Sequence, residues 1–186
     1  MRRLFGKSLA ILTLSSGAVA FCSTSAHAQT TVLLPDTSQT TLLTAVVSEQ
    51  ARVSVPASVS FAVTNVGNTT TAGAVTVAVD RIVLATATKQ LRVTVQAAAG
   101  AFTPPVGGAA TWSASDVTWN APSWTRATGA SGTLSSSSFN QVATCDPDAA
   151  DCSTTGLVFT LGAKPSVQRA GNHTLTVTWK FESIGS

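Results

Sequence analysis

Alternation is the feature of this chain that most narrows what it can fold into. In the run Arg169–Ile184, RAGNHTLTVTWKFESI, Leu175, Val177, Trp179 and Phe181 fall on one side of an extended backbone. Thr174, Thr176, Thr178, Lys180 and Glu182 fall on the other. Successive side chains point to opposite faces in a strand, so this run predicts a half-buried β-strand with an apolar face and a Thr-rich wet face. The pattern recurs at Val53–Val55, Val59–Val63, Val75–Val79, Leu91–Val95 and Leu157–Leu161, and no stretch carries a 3.6-residue period. Turn-forming clusters such as Asn65-Val66-Gly67-Asn68 and Thr103-Pro104-Pro105-Val106-Gly107-Gly108 separate the runs. Short strands between such clusters predict an all-β fold, an antiparallel β-sandwich of about eight or nine strands, with a closed β-barrel as the alternative. The terminal run is long and free of proline, which predicts a central place in its sheet, beside Leu157–Leu161. Pro56, between two alternating runs, predicts an edge strand, a bulge or a crossing between sheets.

The first 28 residues read as an export signal. Arg2, Arg3 and Lys7 form a charged start, Leu9–Phe21 an apolar stretch, and Ala26-His27-Ala28 a cleavage site. The apolar stretch is shorter than the roughly 20 residues of a membrane span, so no span is expected in the mature chain. The mature part, 29–186, reads as a single domain, with 29–50 as a candidate N-terminal arm. Within it Leu42–Val47 predicts a strand, with an ordered arm as the alternative. The expected location is outside the cytoplasm: periplasm, cell surface or extracellular space.

Removing the signal also changes the charge. The whole chain carries +3 from 11 basic and 8 acidic residues, and three of the basic ones are Arg2, Arg3 and Lys7. Eight bases then face eight acids. The apparent basicity belongs to the signal, and nothing favours nucleic acid or an anionic membrane as partner. A chain of zero net charge with a Thr- and Ser-rich surface favours self-association. Cys145 and Cys152, the two cysteines beyond the signal, bracket Asp146-Pro147-Asp148-Ala149-Ala150-Asp151. An even pair in an oxidising compartment predicts a disulfide.

Catalytic raw material is scarce. His173 is the only histidine beyond the signal. No G-x-S-x-G elbow occurs, and the ligand count fails for a His-based zinc site. Glu49, Glu182 and the aspartates sit in no recognisable pair. The expectation is a non-enzyme without cofactor or metal. Asp146, Asp148 and Asp151 begin like a calcium loop but lack the Gly and Glu such a loop needs, so a solvated acidic tip is the competing reading. Trp112, Trp119 and Trp124 are the candidate ligand platform, since a row of indoles on one sheet face stacks on sugar rings; core packing is the alternative.

Two patches carry a family resemblance. Val55-Pro56-Ala57-Ser58-Val59-Ser60-Phe61 and Arg169-Ala170-Gly171-Asn172-His173-Thr174-Leu175-Thr176-Val177-Thr178 resemble exported bacterial pilin-like and spore coat protein U-like subunits, in which a Gly-containing turn leads into a final Thr/Val strand. The resemblance implies an immunoglobulin-like or pilin-like sandwich. It also implies a structural or surface subunit working through protein–protein contacts, with Gln29–Val47 as an arm inserted into a neighbour's sheet. A carbohydrate-binding module using the Trp platform is the alternative function.

Overall fold

The computed structural model describes residues 40–185 of the chain. The export signal and the first part of the arm lie outside the described residues. The chain divides into two units, Met1–Thr44 and Ala45–Ser186. Of the first, Thr40–Thr44 are described, and they are exposed and form no strand. The second carries eleven strands: β1 (Gln50–Ser54), β2 (Thr70–Thr71), β3 (Val75–Val83), β4 (Gln90–Ala97), β5 (Val117–Trp119), β6 (Ala127–Gly129), β7 (Gly132–Thr133), β8 (Asn140–Cys145), β9 (Cys152–Leu157), β10 (Phe159–Leu161) and β11 (Val177–Ile184). A single 3-10 turn, Ala114–Asp116, precedes β5.

Three antiparallel sheets result, with orders β1-β3-β9, β2-β10-β5-β7 and β11-β4-β8-β6. They form a sandwich and close no barrel. The core is built where alternation is densest. Val77 and Val79 of β3, Val93 and Val95 of β4, Val142 of β8 and Leu157 of β9 all belong to one cluster and are at most 1% exposed. β3 and β4 follow each other in sequence but belong to different sheets, and the inward valines of both enter one core cluster. The outer face of the β2-β10-β5-β7 sheet carries one threonine per strand, Thr71, Thr160, Thr118 and Thr133, aligned by register.

Cys145 and Cys152 are bridged, with Cα atoms 5.8 Å apart. Cys145 ends β8 in one sheet and Cys152 begins β9 in another, so the bridge staples two sheets together at one end of the core. Both cysteines are buried. A second crossing runs beside it. Thr125 pairs with Ser153 of β9, and Ala127 pairs with Cys145 of β8, so the chain changes sheet at Arg126, which takes a positive φ of 51°.

Three expectations fail here, each for a physical reason. The terminal strand β11 is an edge strand, not a central one, and its neighbour is β4 rather than Leu157–Leu161. β4 takes the central place because β8 covers its other side. Val59–Val63 keeps its alternation, and Val59, Phe61 and Val63 pack on the core, but it joins no sheet. The one backbone bond within it runs from the Val63 N–H to the Phe61 oxygen, 3.1 Å, after Pro56 has removed a donor. Leu42–Val47 forms no strand, and pairing begins only at Gln50.

The staple gives a direct prediction. Replacing both cysteines, C145S/C152S, is expected to lower the free energy of unfolding by about 2–3 kcal/mol, the loop-closure value for so short a loop. Guanidinium denaturation of parent and variant under oxidising conditions measures it. An unchanged midpoint and slope would mean that the crossing holds without the bridge.

Candidate functional site

The residues with catalytic or ligand chemistry are dispersed, and several are tied into structural contacts, while the Trp124 Nε1 is buried without a hydrogen-bond partner. His173 shares a hydrogen bond at Nδ1 with Thr111 Oγ1, 2.8 Å, and its Nε2 donates to the Arg169 carbonyl, 3.1 Å. Its ring stands edge-on to Trp112 with centroids 5.2 Å apart. The histidine thus ties the segment before β11 to the loop before β5, a link reinforced by the Thr103–Thr174 bridge. Among the described residues no group of three His, Cys, Asp or Glu side chains is placed to hold a metal ion. In the acidic loop, Asp151 accepts from Arg126 Nη1 at 3.1 Å, and Asp148 holds a positive φ of 56° at the loop's tight turn.

The three tryptophans are not brought onto one surface. Trp112 and Trp119 are 5% and 3% exposed. Each indole N–H is committed to a carbonyl, Trp112 to Gly162 at 2.9 Å and Trp119 to Ala130 at 3.0 Å. Trp119 also lies directly against Gly132, where any Cβ would overlap its ring. Trp124 is half-buried, next to Gly129. Two buried rings cannot stack on a sugar, so no three-ring platform exists.

Two shallow depressions stand out among the described residues. The larger, about 300 Å³, is lined by Ser115, Thr133, Ser135, Ser136 and Asn140 among others and contains no ionisable side chain. The smaller, about 220 Å³, has Asp148 as its one ionisable group. Neither supplies the acid–base pair that hydrolysis needs.

Charge clusters serve the architecture. The Asp116 carboxylate accepts from the Ser113 N–H at 2.7 Å and from Lys164 Nζ at 2.8 Å. Burial pushes its pKa up, but the Lys164 and Ser113 bonds outweigh burial and hold it below its ordinary 3.8. Arg52 binds Asp80 with two bonds, 2.6 and 2.7 Å, across the β1–β3 pair, and holds that carboxyl low. Lys89 does the same for Glu49 at 2.9 Å, helped by the Ala85 N–H.

The fold leaves backbone unsatisfied at its sheet edges. Each sheet has two end strands. Of these, β2, β6 and β7 are two or three residues long, and β9 is met on its outer side by the Thr125–Ser153 bridge. That leaves β1 and β11, each with one neighbour. All five residues of β1 are exposed. The apolar row of β11 is only half-buried. Among the described residues, six of the nine exposed large hydrophobics fall between Leu42 and Val55: Leu42, Leu43, Val46, Val47, Val53 and Val55. Within the second unit the candidate functional surface is therefore the open edges of β1 and β11. Sequence alternation points to strands but carries no signal of which strand ends a sheet.

Among the described residues no helix is long and apolar enough to cross a membrane. Comparison with protein-family models, with curated proteins and with solved structures returns no match.

The Asp116 geometry predicts a pH dependence. A carboxyl whose folded pKa is depressed contributes stability above its ordinary pKa and loses it as pH falls through the folded value. D116N is expected to unfold about 1 kcal/mol more easily than the parent near pH 7. The difference should narrow between pH 7 and about pH 2, as the carboxyl takes up its proton. Parallel urea titrations at the two pH values measure it, and an equal gap at both would remove charge from the account.

Proposed function

We propose that this protein is an exported, non-enzymatic structural or surface subunit, of pilus- or coat-like type, that works through contacts with other protein subunits. The observation that carries the reading is the combination of unpaired strand edges with the exposed apolar stretch around Leu42–Val47. Solvent-exposed Leu and Val at 70–91% have no structural use within a folded monomer. They gain one when the segment is laid as an extra strand on an open edge of a neighbour, where backbone bonds give affinity and alternate side chains enter the core. The signal-like start and the buried disulfide support export to an oxidising compartment. The dispersed His173, Asp and Glu residues support a non-catalytic role.

The test compares the mature chain, 29–186, with a version lacking 29–47, by light scattering across the micromolar range. The mature chain is expected to associate and the shortened one to associate more weakly. Equal association in both cases would remove the arm from the proposal, and a mature chain that stays monomeric would overturn it.

A further inference from the structure

The edge of β11 carries its own pairing code. The Ala98 N–H donates to the Thr176 oxygen at 2.9 Å, so Thr176 belongs to a hydrogen-bonded pair with the β4 side. In an antiparallel ladder such pairs alternate, so Thr178, Lys180 and Glu182 also direct their backbone groups at β4, opposite Gln96, Thr94 and Arg92. The backbone N–H and C=O groups of Val177, Trp179, Phe181 and Ser183 therefore face the free edge.

The side chains on the wet face add charge. Lys180 and Glu182 are two residues apart, on either side of Phe181. An antiparallel copy of the same strand, related by a two-fold axis at Phe181, places Lys180 opposite the second copy's Glu182 and Glu182 opposite its Lys180. Phe181 then meets itself in a hydrogen-bonded pair, as its outward backbone groups require. The two charge pairs fall in the non-hydrogen-bonded positions, where opposite side chains are closest. An axis at Trp179 leaves both charges facing Thr, and one at Lys180 or Glu182 sets like charges together. Only the Phe181 register satisfies every charge.

We propose that the β11 edge is a homotypic interface: two copies of this chain pair β11 to β11 antiparallel about Phe181, joining two four-stranded sheets into one of eight. The proposal rests on the subunit reading above and names the partner of one of its open edges. The half-buried row of Val177, Trp179 and Phe181 is extended by the second copy's row, covering apolar surface that the edge position leaves wet. Within one copy Glu182 is held by Lys180 and by Arg92 Nη2, the latter at 3.0 Å, and these bonds keep its carboxyl charged below the usual range. The pairing thus joins two existing charge networks without burying a lone charge.

The experiment uses the mature chain and three variants, K180E, E182K and S183P, in light scattering and sedimentation, with thermal melts of each as a fold control. K180E gives each strand two acidic positions and E182K two basic ones, so each alone repels its copy. Each is expected to weaken self-association about tenfold, and an equimolar mixture of the two to recover it. S183P removes an N–H that faces the free edge, together with the Ser183 hydroxyl that bonds Glu49, while leaving the β4 ladder intact; with the melt showing a folded monomer, the dimer should weaken. Association that is unchanged in K180E, E182K and S183P, or a mixture no tighter than the single variants, overturns the edge proposal while the subunit reading stands. A mature parent chain that stays monomeric throughout overturns both. Charge-dependent pairing that survives loss of 29–47 supports the edge proposal and removes the arm.

Discussion

The structure depends on two rows of valine that share one core, Val77 and Val79 from β3 and Val93 and Val95 from β4. These four are at most 1% exposed. Each row exists because strand geometry sends every second side chain inward, and each belongs to a strand with neighbours on both sides. β4 is covered on its other face as well. Thr94, on the wet parity, is only 3% exposed, and its hydroxyl donates to the Lys180 oxygen at 3.3 Å. The strand that holds the core is thereby also the strand on which β11 rests. Any loosening of Val93 or Val95 reaches the free edge through a single ladder.

The rest of the architecture keeps these two layers in place. The bridge between Cys145 and Cys152 and the sheet change at Arg126 lie side by side, so the sandwich is closed at that end by two chain crossings. A second requirement, packing under the loops, is met by the committed indoles. Trp112 and Trp119 each satisfy their one polar atom and fill space that smaller residues would leave void. Gly132 allows Trp119 to lie flat against the backbone. A ring used this way is architecture, and no ligand can reach its face.

Much of this was legible in the residues. Val75–Val79, Leu91–Val95 and Leu157–Leu161 all became or joined strands because their alternation reports burial on one face directly. The cysteine pairing came from number and spacing. Rank within a sheet was not legible. The alternation of Leu175, Val177, Trp179 and Phe181 records that one face is covered, and says nothing of how many strands lie alongside. A central strand differs by having a partner along each edge, and that backbone pairing leaves no mark in the side-chain pattern: Thr118 of the internal strand β5 is exposed like Thr178 of β11. Val59, Phe61 and Val63 illustrate the converse. They satisfy the apolar pattern by touching the core while their backbone pairs with nothing in a sheet. The tryptophan assignments were equally closed to sequence, because burial of an indole depends on contacts far away in the chain, such as that between Gly162 and Trp112.

The edges of β1 and β11 differ in how they are defended, and the difference bears on their use. β1 is five residues long, its register against β3 shifts between Gln50 and Arg52, and β3 there carries Arg81 at a positive φ of 51°. A short strand on a bulged partner, with Arg52 clamped over Asp80, is a poor template for another chain. β11 has eight residues, an unbroken register with β4, no proline and no bulge. A lysine on an edge is often a deterrent, since a like strand would meet it with its own lysine. Here Glu182 two positions away turns the deterrent into a match for a copy of itself about Phe181, while an axis at Trp179 leaves both charges opposite threonine and one at Lys180 or Glu182 sets like charges together. An edge that rewards one register with charge pairs and penalises others with like charges would favour one partner arrangement over its competitors.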